Sequence, residues 1–231
     1  GLVGSEMCIR DRLLALLSFT FSTAQNNVTW EEVALNVDSG NAPYVLNLMD
    51  NFYSSIEMPE GTSVSLEAIY HSPKGSPTHI INFIGPVEGL VELRALRSGD
   101  AYDAYNSGVE KFATIQSIKG GQTLARFPGS DEEVFGAQEW SFNVKDQGKF
   151  GAAFLELMEV FKPTGYVSLG AYTHGEKGET HYIYMMYKDQ AAMLGFGPKN
   201  EAEAQAFEKF FSARALAQHG LRRLEGIREA I

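Results

Sequence analysis

Four of the five histidines fall into two pairs that recur along the chain, His71 with His79 and His174 with His181. Each pair flanks a short polar turn, Ser72-Pro73-Lys74-Gly75-Ser76-Pro77 in the first case and Gly175-Glu176-Lys177-Gly178-Glu179 in the second. If the members of a pair lie opposite one another across a hairpin, two imidazoles share one face of a ribbon. Such a pair can bind a transition metal or shuttle a proton near neutral pH. Two ligands are too few for a tight metal site. Glu176 and Glu179 could complete a set in the second unit, but Pro73 and Ser76 stand in their places in the first. No metal ligands are assigned on this basis, and any cofactor is left open. The plainer reading is that the histidines close the base of each turn by hydrogen bonding or stacking, with Lys74 and Lys177 as exposed turn residues. A ligand-binding role is the third alternative.

Amides and phenols form a second candidate group. Asn36 lies in Val33-Ala34-Leu35-Asn36-Val37 and Asn143 in Trp140-Ser141-Phe142-Asn143-Val144, each alternating with apolar residues. That alternation turns both amides away from the side on which helices pack. Asn82 and Tyr184 hold matching places on later strands, beside Ile80 and Tyr182. An interior lined by amides, phenols and apolar groups could hold a small aromatic or apolar ligand. The alternative is that the amides satisfy buried backbone groups or each other. The candidate ligand-binding residues are therefore Asn36, Asn82, Asn143, Tyr182 and Tyr184, with His71, His79, His174 and His181. No catalytic residue is identified. The chain contains no G-x-S-x-G elbow, phosphate loop, H-E-x-x-H helix or dinucleotide fingerprint, so whether it is an enzyme is left open.

The elements that must position these residues also come twice. Val64-Ser65-Leu66-Glu67-Ala68-Ile69-Tyr70-His71 and Val167-Ser168-Leu169-Gly170-Ala171-Tyr172-Thr173-His174 share the skeleton V-S-L-x-A-x-x-H about a hundred residues apart. Each is followed by a Lys-Gly turn and a return strand opening on Thr-His, at Thr78-His79 and Thr180-His181. Upstream, Phe154-Leu155-Glu156-Leu157-Met158-Glu159-Val160-Phe161 matches Val45-Leu46-Asn47-Leu48-Met49-Asp50-Asn51-Phe52 at helical spacing. Downstream, helical sequence from Asp100 to Ile115 matches that from about Asn200 to Leu216, with Phe207-Glu208-Lys209-Phe210 answering Val109-Glu110-Lys111-Phe112. The first unit ends in a strand, Gln122 to Phe127. The second does not: Leu221, Leu224, Ile227 and Ile231 sit at helical spacing, so its last strand is uncertain and closure on that side is in doubt.

Strand–helix–strand–strand–helix–strand is the ferredoxin-like order, an antiparallel sheet with helices on one face. Two such units can press their bare faces together around a pseudo-two-fold axis. In element order and duplication, over residues 30–216, the chain resembles the dimeric α+β barrel superfamily with both halves on one polypeptide. The resemblance implies an α+β fold of two ferredoxin-like βαββαβ repeats packed as a pseudo-dimeric barrel. The superfamily includes antibiotic-biosynthesis monooxygenases and haem-degrading monooxygenases. In its monooxygenases a first-strand asparagine can orient the substrate, and Asn36 and Asn143 are the positions that would correspond. The implied functions are binding of a small apolar or aromatic ligand between the sheets, or cofactor-independent monooxygenation, or haem or metal binding through the hairpin histidines.

Residues 1–12 look like a translated sequencing adapter, an artefactual leader outside the fold. Residues 13–24 resemble the apolar part of a truncated signal peptide, too short to span a bilayer, which predicts a secreted or periplasmic protein. The repeats then occupy 28–128 and 136–231. The single cysteine, Cys8, belongs to the leader, leaving no thiol for a disulfide or metal site. A net charge of -10 with no basic stripe argues against nucleic acid as a partner. The expected partners are a small-molecule ligand and, within the chain, the other repeat; no membrane span is expected, and further homo-oligomerisation is left open.

Overall fold

A computed structural model describes residues 28–71, 74–129, 134–176, 178–213 and 219–230, with the backbone path alone for His71, Ala213 and 219–230. The leader and the signal-like segment lie outside the described residues. The first half runs β1 (Thr29–Val37), α1 (Ala42–Tyr53), β2 (Ser63–His71), β3 (His79–Gly85), α2 (Val87–Leu96), α3 (Gly99–Val109) and β4 (Ala113–Phe127). The second repeats the order with β5 (Gly136–Phe142), α4 (Gln147–Phe161), β6 (Val167–His174), β7 (His181–Tyr187), α5 (Gln190–Leu194), α6 (Glu201–Ala213) and β8 (His219–Ala230). No helix among the described residues is long and apolar enough to cross a membrane.

All eight strands form one closed antiparallel barrel in the order β1-β3-β2-β8-β5-β7-β6-β4. Within each half the pairing is ferredoxin-like, and two seams close the ring. At one, β2 pairs with β8; at the other, β4 pairs with β6. The helices cover the outside of the barrel in two separate apolar layers. In the first, Val45, Met49, Phe52 and Tyr53 of α1 bury against Leu35, Leu66, Ile81 and Phe83. In the second, Phe150, Phe154, Leu157 and Met158 of α4 bury against Phe142, Leu169, Ile183 and Met185, with Phe207 and Phe210 of α6. The repeated apolar spacing in the two helices is thus the outer layer twice over.

Two predicted boundaries move. The segment after Gln218 forms strand β8 rather than a helix, pairing with β2 on one side and β5 on the other. Each of those strands offers an open edge, and two ladders of backbone hydrogen bonds outweigh the 3.6-residue spacing of four apolar side chains. Likewise α3 stops at Val109 and β4 starts at Ala113 instead of Gln122. The run Thr114-Ile115-Gln116-Ser117-Ile118 pairs along β1, with a register shift at Ala34/Leu35.

The recurring Thr-His signature has a structural explanation. Thr78 Oγ1 accepts from the Val37 amide at 2.8 Å and donates to the Leu35 carbonyl at 3.3 Å. Thr180 Oγ1 accepts from the Val144 amide at 2.9 Å and donates to the Phe142 carbonyl at 3.4 Å. Each hydroxyl clamps the end of a first strand to the start of its return strand. Replacing Thr78 or Thr180 by Val should cost about 1–2 kcal/mol each, additively because the clamps share no partner. Urea unfolding of the single and double variants measures this; no loss in either would show that the clamps carry no stability.

Candidate functional site

Closure turns the inner faces of the strands into a lumen. A cavity of about 230 Å³ lies within it, lined among others by Trp30, Glu67, Asn82, Tyr182 and Tyr184. Exposed Arg126 and half-buried Val28, Ser63 and Tyr166 also line it, at the end away from the hairpins.

The aromatic wall depends on two glycines. Trp30 pairs in register with Gly121, and Tyr182 with Gly170. A Cβ on Gly121 would sit 2.6 Å from the Trp30 ring, and one on Gly170 would overlap the Tyr182 ring. Without those side chains the rings lie down across the neighbouring strands. They meet edge to face at 5.3 Å, and the Trp30 indole N–H donates to the Tyr182 hydroxyl at 2.7 Å. Tyr172 packs on both rings, 5.9 Å from Trp30 and 5.4 Å from Tyr182. Burial holds the Tyr182 and Tyr184 phenols well above their usual range, so both are neutral donors at physiological pH.

The hairpin end is filled by charge. Lys119 is 6% exposed, and its ammonium lies 3.2 Å from Glu139, 3.5 Å from Glu176 and 3.8 Å from Glu32. Glu32 and Glu139 each fall four residues before the matched asparagines, so the two halves contribute equivalent carboxylates to one cation. Lys119 stands opposite Glu32 in register, and Arg222 holds the corresponding position opposite Glu139. The ammonium also lies 4.6 Å from the Tyr172 ring centroid. Tyr172 in turn donates to Glu139 at 3.0 Å and bonds Ser141 at 2.7 Å.

Glu67 is different. It is 2% exposed, and its Oε1 accepts from Ser65 at 3.1 Å and from Asn82 Nδ2 at 3.3 Å. Its Oε2 is buried with no hydrogen-bond partner, and so is Asn82 Oδ1 beside it. Desolvation pushes the carboxyl up to about 7; the bonds from Asn82 and Ser65 oppose this, while Glu32 and Glu139 reinforce it. Glu67 therefore changes charge near neutral pH inside an aromatic-walled cavity.

Of the residues expected from sequence, Asn82, Tyr182 and Tyr184 line this cavity. Asn36 shares the strand face of Trp30 and Glu32 but is not among the lining residues, and its buried Oδ1 has no partner. Asn143 lies past the end of β5 and is exposed. The amides thus neither converge in the cavity nor bond one another.

The histidines are not opposed. Ala68 faces His79 and Ala171 faces His181, which places His71 and His174 three residues off register. His174 is exposed and bonds Thr173. His181 is buried on the helix side, against Phe150 at 5.8 Å, and it bonds Thr180; His79 bonds Thr78 in the same way. Burial lowers the pKa of both His79 and His181. Among the described rings, His79, His174 and His181 each bond a neighbouring threonine, and strand register does not set the members of either pair opposite one another. The side chain of His71 lies outside the described residues.

Sequence reasoning missed Glu67, Trp30, Lys119, Glu32 and Glu139. The signal was a charged residue at an inward position of an otherwise apolar strand, most plainly the x of V-S-L-x-A, which is Glu67 in one half and Gly170 in the other.

Among known proteins, no family model and no curated sequence matches the chain. Solved structures do match. A candidate monooxygenase from Lactobacillus acidophilus NCFM aligns with a TM-score of 0.60 at 16% identity, over 89% of this chain and 97% of that one. This chain has the dimeric α+β barrel fold. An anthrone oxidase-like protein aligns with a TM-score of 0.54 at 11% identity, over 90% and 95% of the two chains. A mutant chlorite dismutase from Candidatus Nitrospira defluvii aligns at 0.53 and 10% identity, over 86% and 91%. At these identities the likeness is one of fold.

The raised pKa of Glu67 has a stability consequence. Between an unfolded value near 4.5 and a folded value of about 7, the native state binds the extra proton, so stability falls as pH rises through that window. Above it the loss is about 3 kcal/mol. Glu67→Gln should therefore be more stable than the parent at pH 8 by up to that amount, with the gap closing by pH 4. Denaturant unfolding across pH tests this, and a difference independent of pH would contradict it.

Proposed function

We propose that the protein is an exported, internally duplicated barrel that binds a small aromatic or apolar molecule in its lumen. The supporting observation is the division of the cavity wall between the halves. The first half lines it with Trp30, Glu67 and Asn82 and the second with Glu139, Tyr182 and Tyr184, with Asn82 and Tyr184 at matched positions. Both halves thus give acceptors and ring surface to one wall, which suits a planar ligand with a polar edge. Repeats spanning 28–128 and 136–231 that diverged after duplication account for this division. The signal-like residues 13–24 underlie the assignment to a secreted or periplasmic location.

A second reading is favoured by Glu67. A buried carboxylate with a free oxygen can take a proton from an electron-rich aromatic substrate. In a cofactor-independent oxygenase, dioxygen would then oxidise a ring methylene to a carbonyl and leave as water (CH2 + O2 → C=O + H2O). The names of two structural neighbours, a candidate monooxygenase and an anthrone oxidase-like protein, lean the same way. Haem or metal binding by hairpin histidines has lost the geometry that suggested it.

The binding reading is tested with 2-naphthol as the ligand and Trp30 fluorescence as the readout. Saturable quenching is expected, and it should vanish in Ser168→Phe, where a ring would project from the lumen-lining position of Ser168. Quenching that survives in Ser168→Phe would place binding elsewhere.

A further inference from the structure

Two acceptor atoms on the cavity wall lack partners, and they belong to side chains that already bond each other. Glu67 Oε2 and Asn82 Oδ1 are both buried without a hydrogen-bond partner, while Asn82 Nδ2 is spent on Glu67 Oε1 at 3.3 Å. A buried acceptor left unmade costs on the order of 1–3 kcal/mol, and more when charged. Unpartnered acceptors on two bonded side chains that both line the cavity are a surface that donors on a ligand can complete.

We propose that Glu67 and Asn82 form a two-acceptor recognition edge for a planar aromatic ligand carrying two adjacent hydrogen-bond donors. This rests on the lumen-binding reading and specifies its ligand class. Trp30, Tyr182 and Tyr184 give the same cavity its ring surface, which suits donors carried on a ring. A cationic ligand fits less well, because Lys119 already occupies the cation position over Tyr172 and is held by three carboxylates. The donors can be hydroxyls, as in a catechol-type diol, or amino groups, as in an aromatic diamine.

Charge sets the pH at which the edge is strongest. Glu67 faces Glu32 from β1, Asn82 from β3, Glu139 from β5 and Tyr184 from β7, with Leu66 and Ala68 beside it in register with Arg228 and Glu225 of β8. Ionised, Glu67 offers a charge-assisted acceptor; protonated, it gives up half of the edge.

The test uses three ligands of one skeleton: 2,3-dihydroxynaphthalene, 2,3-diaminonaphthalene and 2,3-dimethoxynaphthalene. Each is titrated into the intact protein and into Glu67→Gln between pH 5.5 and pH 8. The donor-bearing ligands are expected to bind roughly tenfold more tightly than the dimethoxy compound at pH 8, through a charge-assisted bond that it cannot make. Their advantage should shrink towards pH 5.5, and Glu67→Gln should remove it. Whichever of the diol and the diamine binds more tightly identifies the donor type. Equal affinity for all three ligands, or a donor preference that persists in Glu67→Gln, would overturn the recognition edge and leave lumen binding standing. Failure of all three ligands to bind would overturn lumen binding itself.

Discussion

An antiparallel sheet with helices on one side leaves its other side bare, and neither half of this chain can hide that side alone. Everything distinctive about the interior follows from the solution. Pairing β2 with β8 and β4 with β6 removes every open edge and wraps the bare faces around a common axis. The two outer helix layers supply most of the apolar burial and do so independently, half by half. Among the described residues the inner faces carry less of it, in a small cluster of Ile80 and Ala137 with Ile69, Tyr184 and Met186 packed against them. The lumen is thereby free to be polar.

That freedom is used unevenly along the axis. At the hairpin end, Lys119 ties Glu32 of one half to Glu139 of the other in a dry setting. Such a cluster contributes little net stability, but removing its cation would strand buried carboxylates. Next to those carboxylates, buried Glu67 is pushed up by desolvation and left to titrate near neutral pH. The glycines at 121 and 170 are part of the same division, since each makes room for an aromatic ring to lie across its strand. Plug and cavity are thus two uses of one closed surface.

Much of the architecture was legible because similar patterns occur in both halves of the sequence. The shared skeleton of the hairpins, the matching helices and the matched Thr-His pairs gave the element order and the barrel, and the Thr hydroxyls show why that dipeptide recurs. The final strand was not legible, because the side-chain spacing of Leu221, Leu224 and Ile227 says nothing about two waiting strand edges. Site residues divided the same way. The cavity-lining places of Asn82, Tyr182 and Tyr184 were legible from strand alternation. Asn143 was misplaced because β5 ends one residue earlier, and the histidine pairs failed because hairpin register cannot be read from composition. Glu67 was hidden by a search for what the halves share, when the informative position is one where they differ.

The lumen, and every function assigned to it, requires that β8 be bonded along both edges. Amide hydrogen exchange measured residue by residue over 219–230 tests this most directly. Doubly paired β8 predicts protection along the strand comparable to that of its neighbours β2 and β5, with exchange only through global opening. Exchange of the β8 amides at the rate of an unstructured peptide, while β2 and β5 stay protected, would mean that the barrel is open and the cavity is a groove.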